Sequence, residues 1–178
     1  GIAIDAAGNV YTANNGSNNV SKITPAGIST ILQSEFGFVS GFGIAVDAAG
    51  SVYTGHFVGC IDDGPAGPVG YVCGSRVVKT IPNGWSYVLT ATTELIIDLV
   101  VGADGNVYTA NIADTGEGTG EGTVSKITPD GTSSTLGTTG WDPYGIAIDA
   151  DGNIYTANQS SDNVSKITPA TYPATGNS

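Results

Sequence analysis

One short string recurs along this chain and restricts its fold more than any other feature. Gly1-Ile2-Ala3-Ile4-Asp5 returns as Gly43-Ile44-Ala45-Val46-Asp47 and as Gly145-Ile146-Ala147-Ile148-Asp149, and the degenerate Asp98-Leu99-Val100-Val101-Gly102 falls in the same register. After each comes a Gly-centred turn (Gly8, Gly50, Gly105, Gly152), then Val-Tyr-Thr or Ile-Tyr-Thr from Val10, Val52, Val107 and Ile154. A third segment, Val-Ser-Lys-Ile-Thr-Pro, begins at Val20, Val124 and Val164, with Val77-Val78-Lys79-Thr80-Ile81-Pro82 as its weaker relative. The four starts lie 42, 55 and 47 residues apart. Self-similarity at that period marks an array of units that bury their apolar faces only by stacking on one another.

Each copy reads as short strands joined by hairpin turns. Gly1–Asp5 and Asn9–Ala13 flank Asp-Ala-Ala-Gly, whose glycine can take the left-handed conformation of a bulged type I turn. A third strand, Val20–Thr24, leaves through Pro25 and Gly27, and a fourth follows at Ile28–Leu32 or, in copy two, Trp85–Leu89. No helical periodicity is present. Four-stranded antiparallel units at this spacing predict an all-β protein, a β-propeller of four blades in one domain. The repeats run over residues 1–42, 43–97, 98–144 and 145–170, with a tail at 171–178. The last blade is expected to be incomplete, because Pro169-Ala170-Thr171 lacks the closing glycine and Pro173 cannot donate to a ladder.

The string Gly-Ile-Ala-Ile-Asp-Ala-Asp-Gly-Asn-Ile-Tyr-Thr-Ala-Asn, from Gly145 to Asn158, resembles an NHL-type propeller repeat and is similar to the repeats of streptogramin-lyase-like propellers. The resemblance covers nearly the whole chain apart from two insertions and the tail. It implies blades, and about six or seven of them in a typical member; four repeats are present here. For activity it implies histidines beside metal-bound carboxylates, or several histidines, whereas this chain has only His56.

Composition sets the outer limits. With 5 basic and 16 acidic residues, the net charge of -11 excludes nucleic-acid binding through a basic face. The longest apolar stretch, Leu95 to Ala103, is interrupted by Asp98 and is too short to span a bilayer as a helix. Twenty-seven glycines, 36 Ser and Thr and 12 Asn favour an extracellular, secreted or cell-surface all-β protein. There is no Met, and Gly1 already sits in a strand-like pattern, which reads as a processed or trimmed chain.

Most chemistry-bearing residues recur with the repeat, so their first explanation is structural. Asp5, Asp47 and Asp149 are expected to cap their own turns rather than to form a ring for a cation. Asn14, His56, Asn111 and Asn158 share one position, where His56 reads as a replaced cap rather than a general acid or base. Lys22, Lys79, Lys126 and Lys166 share another, expected to cover apolar surface with their stems or to guard an edge. The acidic loop Asp114 to Glu121 has oxygens for calcium, the one cofactor considered, but matches no defined calcium loop. Phe36, Phe38, Phe42, Trp141 and Tyr144 are expected to fill joints between blades.

Two further features remain. Cys60 and Cys73 bound a Gly/Pro-rich insertion running from Val58 to Gly74 and are expected to form a disulfide, worth about 3 kcal/mol for a loop of this length. Asn15, Asn19, Asn158 and Asn163 open N-x-Ser sequons, expected to carry glycan if the source glycosylates.

The leading expectation is a non-enzymatic structural or interaction module with no catalytic or metal residues. Its partner would be itself or another protein chain, joined head-to-tail across an open edge at Val164, Ser165, Lys166 and Ile167 or across the adjoining blade face, unless chain absent from this sequence covers them. The alternative is a metal-dependent lyase or lactonase-like propeller enzyme, and the third reading a carbohydrate-binding lectin whose partners are glycans.

Overall fold

The computed structural model of the chain describes residues 1–33, 38–62, 71–112 and 120–168, which fold as four antiparallel sheets. The first contains β1 (Ile2–Ile4), β2 (Val10–Asn14), β3 (Asn19–Ile23) and β4 (Ser29–Gln33). The second contains β5 (Phe38–Val46), β6 (Val52–Asp62), β7 (Tyr71–Thr80) and β8 (Ser86–Thr92). The third contains β9 (Leu95–Val101), β10 (Val107–Ile112), β11 (Glu121–Ile127) and β12 (Ser133–Trp141). The fourth has three strands among the described residues, β13 (Pro143–Ile148), β14 (Ile154–Asn158) and β15 (Asn163–Ile167). Strands neighbour one another in chain order within every sheet. The protein is a four-blade β-propeller whose last blade is short.

The turns explain why each blade folds on itself. In the first hairpin Gly8 holds φ at 77° and donates its N–H to Asp5 O at 3.0 Å, a conformation that costs little without a Cβ. Gly27 serves the turn between β3 and β4 in the same way, with φ at 80° and an N–H to Thr24 O at 2.8 Å.

Blades stack by one repeated rule. Tyr11, Ala13 and Val20 of the first blade bury against Ile44 and Val52 of the second. Tyr53 and Val77 of the second bury against Leu99, Val107 and Ile127 of the third. Tyr108 and Val124 of the third bury against Ile154 of the fourth, with Ile146, Ile148 and Ile167 packed alongside. Each joint therefore presses the Tyr–Val face of one blade onto the Ile/Val face of the next. A fully buried Val or Ile contributes about 1.5–3 kcal/mol, so these joints, not the hairpins alone, hold the array together.

Two local expectations change. The segment from Val58 to Gly74 is not simply a loop, because β6 continues to Asp62 and β7 begins at Tyr71. Val58, Ile61, Tyr71 and Val72 suit a ladder, and extending paired strands closes no new loop. The third blade begins at Leu95 rather than Asp98, with a register shift between Ala110 and Asn111 absorbing the extra residues.

Candidate functional site

Three of the polar columns turn out to be one structural device. Asp5 Oδ1 accepts from the N–H groups of Ala7 at 3.0 Å and Asn9 at 2.8 Å, while Oδ2 accepts from Asn9 Nδ2 at 2.8 Å and the Tyr11 hydroxyl at 2.9 Å. Asp149 repeats every one of these contacts with Asp151, Asn153 and Tyr155. Asp47 keeps three of them, from Ala49 N, Ser51 N and the Tyr53 hydroxyl, because Ser51 stands where the others have Asn. The side-chain bond from Asn9, acting against burial, draws the Asp5 carboxyl below its ordinary range, and Asn153 does the same for Asp149.

The lysines stand opposite the tyrosines, Tyr11 against Lys22 and Tyr53 against Lys79. Lys22, Lys79 and Lys166 lie over the rings of Tyr11, Tyr53 and Tyr155, with Nζ 5.5, 4.9 and 5.5 Å from the centroids. Lys79 also reaches Asp47 at 3.9 Å, and Lys126 reaches Asp104 at 3.9 Å. In these three blades the lysine ammonium, rather than its stem, thus lies over its own blade's tyrosine, and the Asp column is consumed within its turns.

The Asn column is likewise internal. Asn14 Nδ2 donates to Asn19 Oδ1 and Ser21 Oγ, both at 2.9 Å, and Asn158 Nδ2 to Asn163 Oδ1 at 2.7 Å and Ser165 Oγ at 2.8 Å. Asn111 Nδ2 reaches Thr123 and Ser125. In the second blade His56 takes this place, fully buried, with Nε2 2.8 Å from Thr54 Oγ1, just as Asn158 bonds Thr156. The His56 ring is thus bonded within its own strand.

One carboxylate does not belong to the repeat. Asp98 stands where the other copies have Gly1, Gly43 and Gly145. It lines an open cavity of about 400 Å³ bordered by the inner strands of all four blades, with Ile2, Ile4, Ile44, Leu99 and Ile146 around it. Its Oδ1 accepts from its neighbour Leu99 N at 2.9 Å, and its Oδ2 from Ile146 N of the next blade at 3.1 Å. Burial pushes this carboxyl above the ordinary aspartate range against the pull of both amides and of the chain's amino terminus. The sequence carried the signal, a break in the repeat at its first residue, but in a degenerate copy such a break reads as decay.

The other expected sites fall in different places. Cys60 and Cys73 are Cα partners across β6 and β7. Asn15 and Asn163 are exposed and Asn19 is half-buried; Asn158 is 3% exposed with its nitrogen already donating twice, which closes it to modification. Val164 and Lys166 are exposed on β15, with Ser165 and Ile167 half-buried. Trp141 and Tyr144 are exposed. Phe36 and residues 114–119 of the acidic loop lie outside the described residues, while Glu121 at the end of that loop is described and exposed. Among the described residues no three or more His, Cys, Asp or Glu come together as a metal site. No helix of the described residues is long and apolar enough to cross a membrane.

No family model matches the sequence, and no curated protein matches it either. Solved structures do match in fold. A gluconolactonase from Xanthomonas campestris aligns with TM-score 0.63 at 18% identity, over 93% of this chain and 56% of the other. The PQQ-bound aldose sugar dehydrogenase from Streptomyces coelicolor aligns with TM-score 0.61 at 17% identity, over 95% of this chain and 59% of the other. A virginiamycin B lyase from Staphylococcus aureus aligns with TM-score 0.48 at 14% identity, over 96% and 70%. The chain thus spans under two thirds of the length of the first two, and likeness at this identity shows the propeller fold alone.

Proposed function

We propose that this chain carries the ligand channel of a propeller that acts on a small polyhydroxylated molecule, a sugar or sugar lactone, with Asp98 as the group that meets it. Asp98 carries the reading: it is a carboxylate foreign to the repeat, set in a cavity whose volume lies within the range of small-molecule sites. Sugar hydroxyls are donors, and a carboxylate is an acceptor with lone pairs left after two amide bonds. A carboxyl raised by burial also exchanges its proton nearer neutral pH than an exposed aspartate, which suits a general base activating water at a lactone carbonyl. The sugar-directed names of two proteins of like fold, the gluconolactonase and the aldose sugar dehydrogenase, supply the substrate class.

The test pairs calorimetric titration with D-glucose and pH-stat hydrolysis of glucono-δ-lactone. Saturable binding or turnover above the spontaneous rate, lost in Asp98→Asn with circular dichroism unchanged, supports the proposal. No binding and no turnover in the unaltered chain overturns it.

A second reading, a non-enzymatic extracellular module, is favoured by a different observation. Asp5, Asp47, Asp149, Asn14 and Asn158 are all consumed inside their own blades, which leaves no repeated ring of groups facing a ligand. Inert behaviour with both sugars would favour it.

A further inference from the structure

The three internal joints reveal what the two end faces of the array lack. Val20, Val77 and Val124 occupy one repeat position and are each 0% exposed, whereas Val164, the fourth, is 68% exposed. On the opposite face, Ile44 and Leu99 are 7% and 3% exposed, whereas Ile2 at the same position is 67% exposed and Ile4 64%. The last blade thus presents an unpacked Tyr–Val face, and the first an unpacked Ile/Val face. These are the two halves of the joint that the chain makes three times within itself. The hollows on the last blade are consistent: one is lined by Tyr144, Ala157 and Val164, another by Ala147, Tyr155 and Val164. In the other three blades the next blade fills that space.

We propose that a second copy of this chain covers each end face, the Ile2–Ile4 face of one copy seating on the Tyr155–Val164 face of another. The occupant follows from the interface already present: the Tyr–Val face accepts an Ile/Val sheet in all three joints, and the same chain displays one unused. The residues Ile2, Ile4, Val10 and Ile23 are themselves apolar, whereas Asp162 and Asp98 stand among the residues that line the two hollows on the last blade. Of the open β15 edge and the adjoining blade face, the burden falls on the face. Such a contact is heterologous: one copy gives its first blade and the other its last. It closes a ring if the rotation per copy allows and otherwise grows a filament.

Light scattering on the 178-residue chain over a concentration series, with Val164→Asp and Ile2→Asp, tests this. Both positions are already exposed, so the replacements do not disturb a core. The unaltered chain is expected to pass from one-chain mass to two-chain mass or beyond. Each variant alone is expected to remain at one-chain mass. An equimolar mixture is expected to give two-chain mass and stop there, since one good face survives on each partner. A wild-type chain that stays at one-chain mass throughout overturns the proposal, which is also the outcome if only flanking sequence of the same polypeptide covers these faces. Association in the single variants, or none in the mixture when the unaltered chain associates, overturns the head-to-tail geometry.

Discussion

The hydroxyl of Tyr108 donates to Asp104 Oδ2 at 2.8 Å, making in the third blade the contact that Tyr11 makes with Asp5 in the first. The residues that make it are not at equivalent positions. Gly102 holds the place of Asp5, and a Cβ there would lie 2.6 Å from Asp104 Oδ1 and 2.9 Å from the Tyr108 ring. The carboxylate has moved two residues along the turn and fills the room the glycine leaves. What repeats is the contact, not the residue.

Asp104→Ala is therefore expected to cost about 1–2 kcal/mol, the price of a lost charge-assisted bond to a buried tyrosine. Burial, then the bond to Asp104, hold the Tyr108 phenol up at about 12. In the variant burial still raises the phenol, against the bond from Asn106, so it should titrate at lower pH than in the unaltered chain. Ultraviolet titration of the phenolate checks this, and an unchanged titration would remove Asp104 from the account.

Acid should weaken the fold through the turn aspartates. Asp5 and Asp149 have folded-state pKa values below the ordinary 3.8. A depressed carboxylate contributes stability above its unfolded value and loses it as pH falls through the folded one. Urea midpoints are expected to fall between about pH 5 and pH 2. The double variant Asp5→Asn, Asp149→Asn should show a shallower fall.

Gly43 and Gly145 open their repeats alike but should respond differently to alanine. A Cβ on Gly43 would lie 3.1 Å from Leu99 N and 3.2 Å from the Asp98 Cα, both rigid backbone, while one on Gly145 meets nothing within 4 Å. Gly43→Ala is expected to cost about 1–3 kcal/mol by overpacking the second joint, and Gly145→Ala to be near neutral. Thermal unfolding of the pair decides it.

Cys60 and Cys73 face each other as Cα partners across an antiparallel ladder, and antiparallel partners stand within disulfide reach. Alkylation of the unreduced, denatured protein is expected to label neither thiol. Labelling of both would show that the cross-link is absent.

The blades were legible because the apolar columns and the turn glycines are local. Gly8 needs only its own hairpin to justify it, and the Tyr11 column announces a buried position wherever the string returns. The strand continuation through Cys60 was not legible, since its glycines and prolines resemble a loop and only pairing with β7 turns it into ladder. Asp98 was passed over for the opposite reason: its significance depends on Ile146, 48 residues away, donating to it across a joint. The exposure of Val164 was equally hidden, because periodicity tells which residue forms a joint but not whether a neighbour is there to meet it.

The carboxyl of Asp98 gives the most direct test of the functional account, followed by carbon NMR through a pH titration with and without D-glucose. The account predicts a free-protein pKa above the ordinary aspartate value, because burial outweighs the two amide bonds. It also predicts a shift of that resonance as sugar is added, while the Asp5 and Asp149 carboxyls stay in place. An Asp98 that titrates at or below the ordinary value and does not respond to the sugar would contradict it.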